Sequence, residues 1–485
     1  MPDPTLDRLR DLESRARALE PGPAERSALT SAAVAHAEAL LASLETAPAL
    51  WPDSGSAVAL ARAPIGRDPI GLEAALALLD RHVDRDGQNT MASGFFAYIP
   101  GGNLYLAALA DYLAAVSNRY SGYILGSPGG VRVENQVLAW LASVVGYPET
   151  AAGNLTSGGS IANLIAIVAA REAAEIRARD AHRAVVYLTD QAHHCVAKGL
   201  RVAGLGDCVQ HRVPIDERYR MVPAALDAAM AEDARAGRIP WLVVTTAGTT
   251  DTGAVDPLEA VAEIAERHGA WFHVDAAYGG MFALCPQGRE ALRGIERSDS
   301  VVLDPHKGLF IPFGVGAVLV KDAGAMRAAF AFDAHYIPPE GHRIPEVSPS
   351  DQSPELSRPF RALRLWLPLQ VLGTGPFEAA LEEKLLLARY AHERLRAVEG
   401  LEVGPEPDLS LFIFRPGPGR GGREDRTEAL ERALREDARV GISGTVVNGS
   451  RYLRLAVLAL RTHRDAVDRA VEVIREKLAR LDAGR

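Results

Sequence analysis

The sequence predicts an α/β protein built around a mostly parallel sheet, and three observations carry that prediction. Between residues 150 and 320, short β-rich runs alternate with alanine-rich helical runs. The chain has 485 residues, too many for one simple core. After residue 375 the pattern changes to a long helix, paired strands and a closing helix, so a smaller α+β unit follows the first.

Taken in order, residues 1–85 read as helices broken by Pro and Gly. Within 26–46, Leu29, Ala33, Ala37, Leu40 and Leu44 recur on one stripe. A helical arm with so little mass has to bury that stripe on the main body or on a second subunit. The strands of the central region are AVVYLTD (184–190), WLVVTTA (241–247), WFHVDAA (271–277), SVVLDP (300–305) and GAVLVKD (316–322). LEAVAEIAERHG (258–269) separates two of them as a helix that stops on Gly269. Residues 335–355, rich in Pro, Ser, His and acids, read as a long loop, of a length uncommon unless functional or disordered. The helix EAALEEKLLLARYAHERLRAV, strands SLFIFRP and YLRLAVLAL, and the helix HRDAVDRAVEVIREKLARL complete the chain; GPGRGGRED (417–425) reads as a flexible loop. These shifts divide the chain into a helical arm and dimerisation segment (1–90), a large α/β domain (91–372) and a small C-terminal α+β domain (373–485).

Composition narrows the function. The net charge is −9 and no basic block stands out, so nucleic acid is not an expected partner. Cys195, Cys208 and Cys285 are odd in number and share no CxxC spacing, which argues against disulfides and structural zinc. No apolar run reaches the ~20 residues that span a bilayer. The opening MPDPTLDRLRDLESRAR alternates acids and bases where a signal peptide has an apolar core, so the expected location is cytoplasmic.

Five segments can carry chemistry. In TSGGSIANL, Ser157, Gly158, Gly159 and Ser160 run into an amphipathic helix, whose N-terminal N–H groups suit a phosphate; a plain helix start reads the same way. In WFHVDAAYGG (271–280), Asp275 ends a strand where α/β folds place ligands; it can hold a proton on a pyridine nitrogen or cap the next helix. Ala276 and Ala277 are small enough for a flat ring to lie against them. In SVVLDPHKGLFIPFG (300–314), Lys307 follows an apolar strand and can form an imine with an aldehyde cofactor, or can be a solvated lysine. In TDQAHHCVAKG (189–199), His193, His194 and Cys195 are adjacent, a spacing that seldom converges on one metal, whereas a ring stacked on a planar cofactor fits. In VVTTAGTTDTGAVDP (243–257), Thr246, Thr249 and Thr250 offer hydroxyls at a strand end, which turn chemistry also explains.

Together and in this order, TSGGSIANL, DQAH, TTAGTT, HVDAAYGG and DPHK resemble the group II pyridoxal-phosphate (PLP)-dependent amino-acid decarboxylases, the aromatic-L-amino-acid decarboxylases and their bacterial relatives above all. The resemblance runs from about Gly94 to Leu460. It implies the PLP-dependent transferase fold (fold type I), pyridoxal 5'-phosphate as cofactor, and decarboxylation of an L-amino acid to its amine, an aromatic one first; the arm's apolar stripe, with little mass to bury it, adds the expectation of a homodimer. An acidic substrate such as glutamate, an aldehyde-forming decarboxylase and a carbon–carbon lyase stay open beside it.

The same resemblance implies roles. Lys307 carries the cofactor, Asp275 pairs with the ring nitrogen and His193 stacks on the ring. Gly159, Ser160, Asp304 and His306 surround the phosphate, and Thr246 and Ala277 contact the cofactor. Tyr336, 29 residues after Lys307, matches the mobile-loop tyrosine expected to protonate the substrate carbon. The segment Tyr98, Ile99, Pro100 matches the substrate-pocket wall, and Arg454 orders the site or holds a carboxylate. RPFRALRLW (358–366) is a further landmark. Two departures stand out: Gly308 follows the lysine where the family often has Trp, and the stretch Tyr120–Gly126 differs in its aromatic residues.

Overall fold

The computed structural model describes residues 4–51, 55, 57–62, 65–332, 346–418 and 422–483. Seven strands form the main sheet: β1 (Ala152–Thr156), β2 (Ala184–Leu188), β3 (Val209–Arg212), β4 (Ile239–Thr246), β5 (Trp271–Ala276), β6 (Ser300–Leu303) and β7 (Gly316–Val320). Their order is β1-β7-β6-β5-β4-β2-β3. β6, β5, β4, β2 and β3 pair in parallel, while β7 runs against both its neighbours. The central strands are buried on both faces, which is why they read as continuous apolar runs without alternation.

The parallel arrangement gathers strand ends on one edge of the sheet. Thr156 closes β1 and passes through Ser157 and Gly158 into the helix Gly159–Ala173. Gly158 has φ 149° and a Cβ on Gly159 would sit 2.9 Å from Asp304 Oδ2, so this turn uses glycine for both conformation and close approach. The helix Leu258–His268 ends on Gly269 at φ 65°, as its sequence foretells.

A second sheet holds β8 (Leu401–Val403), β9 (Leu411–Pro416), β10 (Ser443–Val447) and β11 (Ser450–Ala456), antiparallel in the order β10-β11-β9-β8. The helices Gly375–Arg396, Gly422–Asp437 and Arg464–Asp482 pack on it through a core of its own that includes Leu395, Phe412, Leu434, Leu453 and Val471. Residues 94–96 join the two regions by backbone bonds: Phe96 N–H donates to Gly441 O (2.8 Å) and Ala456 N–H to Phe96 O (3.0 Å).

The expected loop at 417–425 needs correction from Gly422 onward, where the helix Gly422–Asp437 begins. Its buried Thr427, Leu430 and Leu434 recur with helical spacing, and that face outweighs the polar, Gly-rich start. At the other end of the chain, the helices Pro4–Ala16 and Pro23–Ser43 have no fully buried residue. Of the apolar stripe only Leu44 is buried and Leu40 partly so, leaving Leu29, Ala33 and Ala37 exposed. Tyr336 lies outside the described residues, as does the first half of the expected loop. Among the described residues, no helix is long and apolar enough to cross a membrane.

Candidate active site

One cavity of about 340 Å³ opens at the carboxyl ends of the parallel strands. Gly159, Ser160, His193, Thr246, Asp275, Ala277, Asp304, His306 and Lys307, all singled out from the sequence, line it together. They arrive from the ends of five elements. Thr246 ends β4, Asp275 lies one residue before the end of β5, and Asp304 to Lys307 form the turn after β6. His193 follows β2, and Gly159 and Ser160 begin the helix after β1.

The electrostatics of the cavity are specific. Lys307 Nζ lies 3.0 Å from Asp304 Oδ2, and the carboxylate is almost fully buried. Asp304 Oδ1 is buried with no hydrogen-bond partner among the described residues. His306 Nδ1–H donates to the carbonyl of Val315 (2.6 Å), leaving its Nε2 3.8 Å from Asp304 Oδ2. Burial holds the imidazoles of His193 and His306 below their ordinary pKa, against the pull of Asp275 and Asp304 respectively. His193 Nδ1 accepts from the backbone N–H of Cys195 (3.3 Å), which places the remaining ring proton on Nε2 in the neutral form. The Cys195 thiol is pushed up to about 12 by burial, so it is no ready nucleophile. Asp275 accepts from Ala277 N–H at Oδ1 (3.2 Å) and from Asn163 Nδ2 at Oδ2 (3.2 Å).

These residues fit pyridoxal phosphate. A helix N-terminus with glycines at its start suits the phosphate, a buried carboxylate at the end of β5 suits a protonated ring nitrogen, and an amine faces the same space. A neutral imidazole and Ala277 offer apolar surface to a flat ring. The Asp304 carboxylate pairs with Lys307 and also reaches the glycine turn, where a Cβ on Gly159 would sit 2.9 Å from its Oδ2.

The substrate-wall residues are not brought into this lining. Tyr98, Ile99 and Pro100 run beside it, where a Cβ on the following Gly101 would meet His306 O at 2.6 Å. Tyr98 is half exposed at φ 55°. Its carbonyl accepts from Arg454 Nη2 (3.1 Å) and its N–H donates to Ser443 Oγ (3.1 Å). Arg454 is buried on β11 and thereby ties the small sheet to the segment beside the cavity.

Sequence reasoning missed Asn163 and His273. Both left a signal. Asn163 is one helical turn after Gly159 and is a polar residue on the buried face of its helix. His273 lies two residues before Asp275 in a strand, hence on the same face of the sheet.

Comparison with known proteins gives a consistent result. Residues 81–416 match the model of the pyridoxal-dependent decarboxylase conserved domain. The chain is 34% identical over 370 residues to the aromatic-L-amino-acid decarboxylase of Bacillus atrophaeus, covering 76% of each. It is 32% identical over 408 residues to tryptophan decarboxylase 1 of Oryza sativa subsp. japonica, covering 79% of each. Among solved structures, an Oryza sativa TDC with PLP and tryptamine superposes with a TM-score of 0.90 at 27% identity, over 96% of this chain and 99% of that one.

Proposed function

We propose that this chain, which belongs to the pyridoxal-dependent decarboxylase family, removes the carboxylate of an aromatic L-amino acid as CO2 and returns the amine. The observation that carries the reading is the meeting of Lys307, Asp275 and His193 in one cavity at the strand ends. When bound, pyridoxal phosphate supplies the electron sink for the bonding pair left behind by CO2. The protein supplies the rest.

Lys307 holds the cofactor through Nζ, and the buried Asp304 carboxylate 3.0 Å away answers its charge whenever the amine is released. Gly159 and Ser160 hold the phosphate at the helix N-terminus. Asp275 keeps a proton on the ring nitrogen, His193 covers one ring face, and Thr246 and Ala277 complete the contacts. His306, turned toward Asp304, closes the phosphate side. Tyr98, Ile99 and Pro100 form the substrate wall, held in place by Arg454. Tyr336 delivers a proton to the substrate α-carbon after CO2 departs. The working divisions are the arm and dimerisation segment 1–90, the cofactor domain 91–372 and the small domain 373–485. The functional unit is a homodimer, supported by the exposed apolar residues of the arm.

The test is a CO2-release screen over the common amino acids with added PLP, with amine identified in parallel. Release from tryptophan, tyrosine, phenylalanine or dihydroxyphenylalanine is the expected result. Release from glutamate and not from these would move the substrate to the acidic class, and release from none would overturn the activity.

A further inference from the structure

Behind the cavity, five side chains are joined in an unbroken line that starts at the edge of β5 and ends on Asp275. Trp271 Nε1 lies 2.8 Å from Ser300 Oγ, and Ser300 Oγ lies 2.8 Å from His273 Nδ1. His273 Nε2 lies 2.9 Å from Asn163 Oδ1, and Asn163 Nδ2 lies 3.2 Å from Asp275 Oδ2. His273, Asn163 and Ser300 are each at most 1% exposed.

The chemistry of the two ends sets the direction of every bond. An indole N–H only donates, so Ser300 Oγ accepts from Trp271 and keeps its own proton free to donate to a bare His273 Nδ1. A carboxylate only accepts, so Asn163 must present its NH2 to Asp275 and its carbonyl to His273. His273 Nε2 therefore carries the ring proton. Burial pushes the His273 pKa down to about 4, so the ring is neutral with Nδ1 bare, as the line requires. No member can be reversed without facing two donors or two acceptors. The second proton of the Asn163 amide goes to the carbonyl of Gly159 (2.9 Å), in the glycine turn that also lines the cavity.

We propose that Asn163 and His273 are positioning residues that aim the Asp275 carboxylate at the protonated ring nitrogen of the cofactor and lock it to the glycine turn that faces the phosphate. This rests on the proposed cofactor reading. Asn163 bonds to Gly159 and to Asp275, both of which line the cavity, through one amide nitrogen, and His273 fixes which way round that amide stands. With Ala277 N–H on Oδ1 and Asn163 on Oδ2, the plane of the Asp275 carboxylate is set before any ligand arrives. A carboxylate free to rotate would lose orientation toward the ring nitrogen, and the glycine turn would lose its tie to it.

The experiment uses the full-length protein freed of PLP, labelled with 15N in histidine, together with His273→Leu and His273→Gln. Gln retains a donor where Nε2 stands, whereas Leu fills the space without one. In the wild type the His273 resonances, assigned by their absence in the variants, are expected to show the Nε2–H form unchanged from pH 6 to 8, a range chosen about two units above its expected titration. PLP affinity, read from quenching of protein fluorescence, is expected to fall roughly tenfold to a hundredfold in His273→Leu, the size of one hydrogen bond to a charged group. It is expected to return to within about threefold of wild type in His273→Gln, on the same hydrogen-bond scale. An Nδ1–H form in the wild type, wild-type affinity in a folded His273→Leu, or a folded His273→Gln no better than Leu would each overturn the proposal. If His273→Leu does not fold, the wild-type tautomer and the affinity of His273→Gln decide it. Wild-type protein that binds no PLP would overturn the cofactor reading itself, whatever the tautomer.

Discussion

Lys307 Nζ and Asp304 Oδ2 stand 3.0 Å apart in one turn of chain, with the second oxygen of that carboxylate buried and unpartnered among the described residues. A lysine whose charge is balanced this closely can give up its ion pair for a covalent partner without leaving the cavity. Borohydride reduction of the PLP-loaded protein is expected to leave a pyridoxyl group on the peptide that carries Lys307. Lys307→Ala is expected to lose several orders of magnitude in turnover, because both attachment point and proton carrier disappear. Label on another lysine would move the site elsewhere.

For Tyr336 the expectation rests on the resemblance of FDAHYIPP to the family's mobile loop and on its spacing of 29 residues from Lys307. A phenol that protonates the substrate carbon contributes ~10²–10⁴-fold. Tyr336→Phe keeps the ring and removes that proton. CO2 release is expected to continue while amine yield falls, with aldehyde, ammonia and peroxide appearing at the expense of dissolved oxygen. Parallel assay of CO2, amine and peroxide decides it; unchanged amine without peroxide would hand the donor role to His193, the next ring in the cavity.

What could be read beforehand follows the physics of each signal. The five central strands announced themselves because burial on both faces demands unbroken apolar runs. β1 and β3 did not, since AGNLT and VQHR are short and polar although β1 is fully buried. β10 and β11 are joined through Asn448 and Gly449, both at positive φ, in a two-residue hairpin; Asn-Gly between alternating apolar residues is a strong hairpin signal that was there to be used. In the site, residues at strand ends were legible because motif and topology coincide. Asn163 and His273 left only a weak signal, because the bond between them spans 110 residues and the bond from Asn163 to Asp275 spans 112, and only the fold closes those separations.

Arg358 and Glu134 form an ion pair at 2.8 Å with neither side chain exposed. Arg358 also donates to Leu155 O (2.7 Å), in the strand that leads to the glycine turn. Burial pushes the Glu134 carboxyl up and Arg358 pulls it down, so removing the arginine strands a buried acid. Arg358→Leu is expected to cost ~3–5 kcal/mol of stability, and adding Glu134→Met to regain most of it. Urea denaturation of both variants measures this; an Arg358→Leu protein as stable as the wild type would show the pair to be dispensable.

The arm helix Pro4–Ala16 leaves Leu6, Leu9 and Leu12 between 42% and 55% exposed, and the helix Tyr105–Ser117 leaves Tyr112, Leu113 and Val116 exposed as well. Apolar surface on two separate helices is what a second copy would cover. Sedimentation is expected to give twice the 51.8 kDa chain mass, and Leu9→Glu with Leu12→Glu to shift the balance toward monomer. A fully active monomer at micromolar concentration would contradict the dimer.

His273 gives a pH dependence whose sign can be worked out. Its folded pKa, about 4, is below the ordinary value of 6.5. Above pH 6.5 both folded and unfolded chains leave the ring neutral, and His273 adds no pH dependence. As pH falls from there toward 4, the unfolded chain takes up a proton that the folded chain refuses, so stability declines, by up to roughly 3 kcal/mol from this residue. Asp256 works the other way in the same range. Burial lifts its carboxyl to about 6, so the folded chain holds the proton there more readily than the unfolded chain does. The wild-type curve alone therefore mixes the two, and the comparison with His273→Gln separates them, because Asp256 is common to both proteins. In urea denaturation at pH 7.5, 6.0 and 5.0, the stability of the wild type relative to His273→Gln is expected to hold steady near the top of this range and fall at each lower step. A difference that does not change with pH would mean that folded His273 accepts its proton as readily as the unfolded chain, and that the line from Trp271 to Asp275 does not hold the ring neutral.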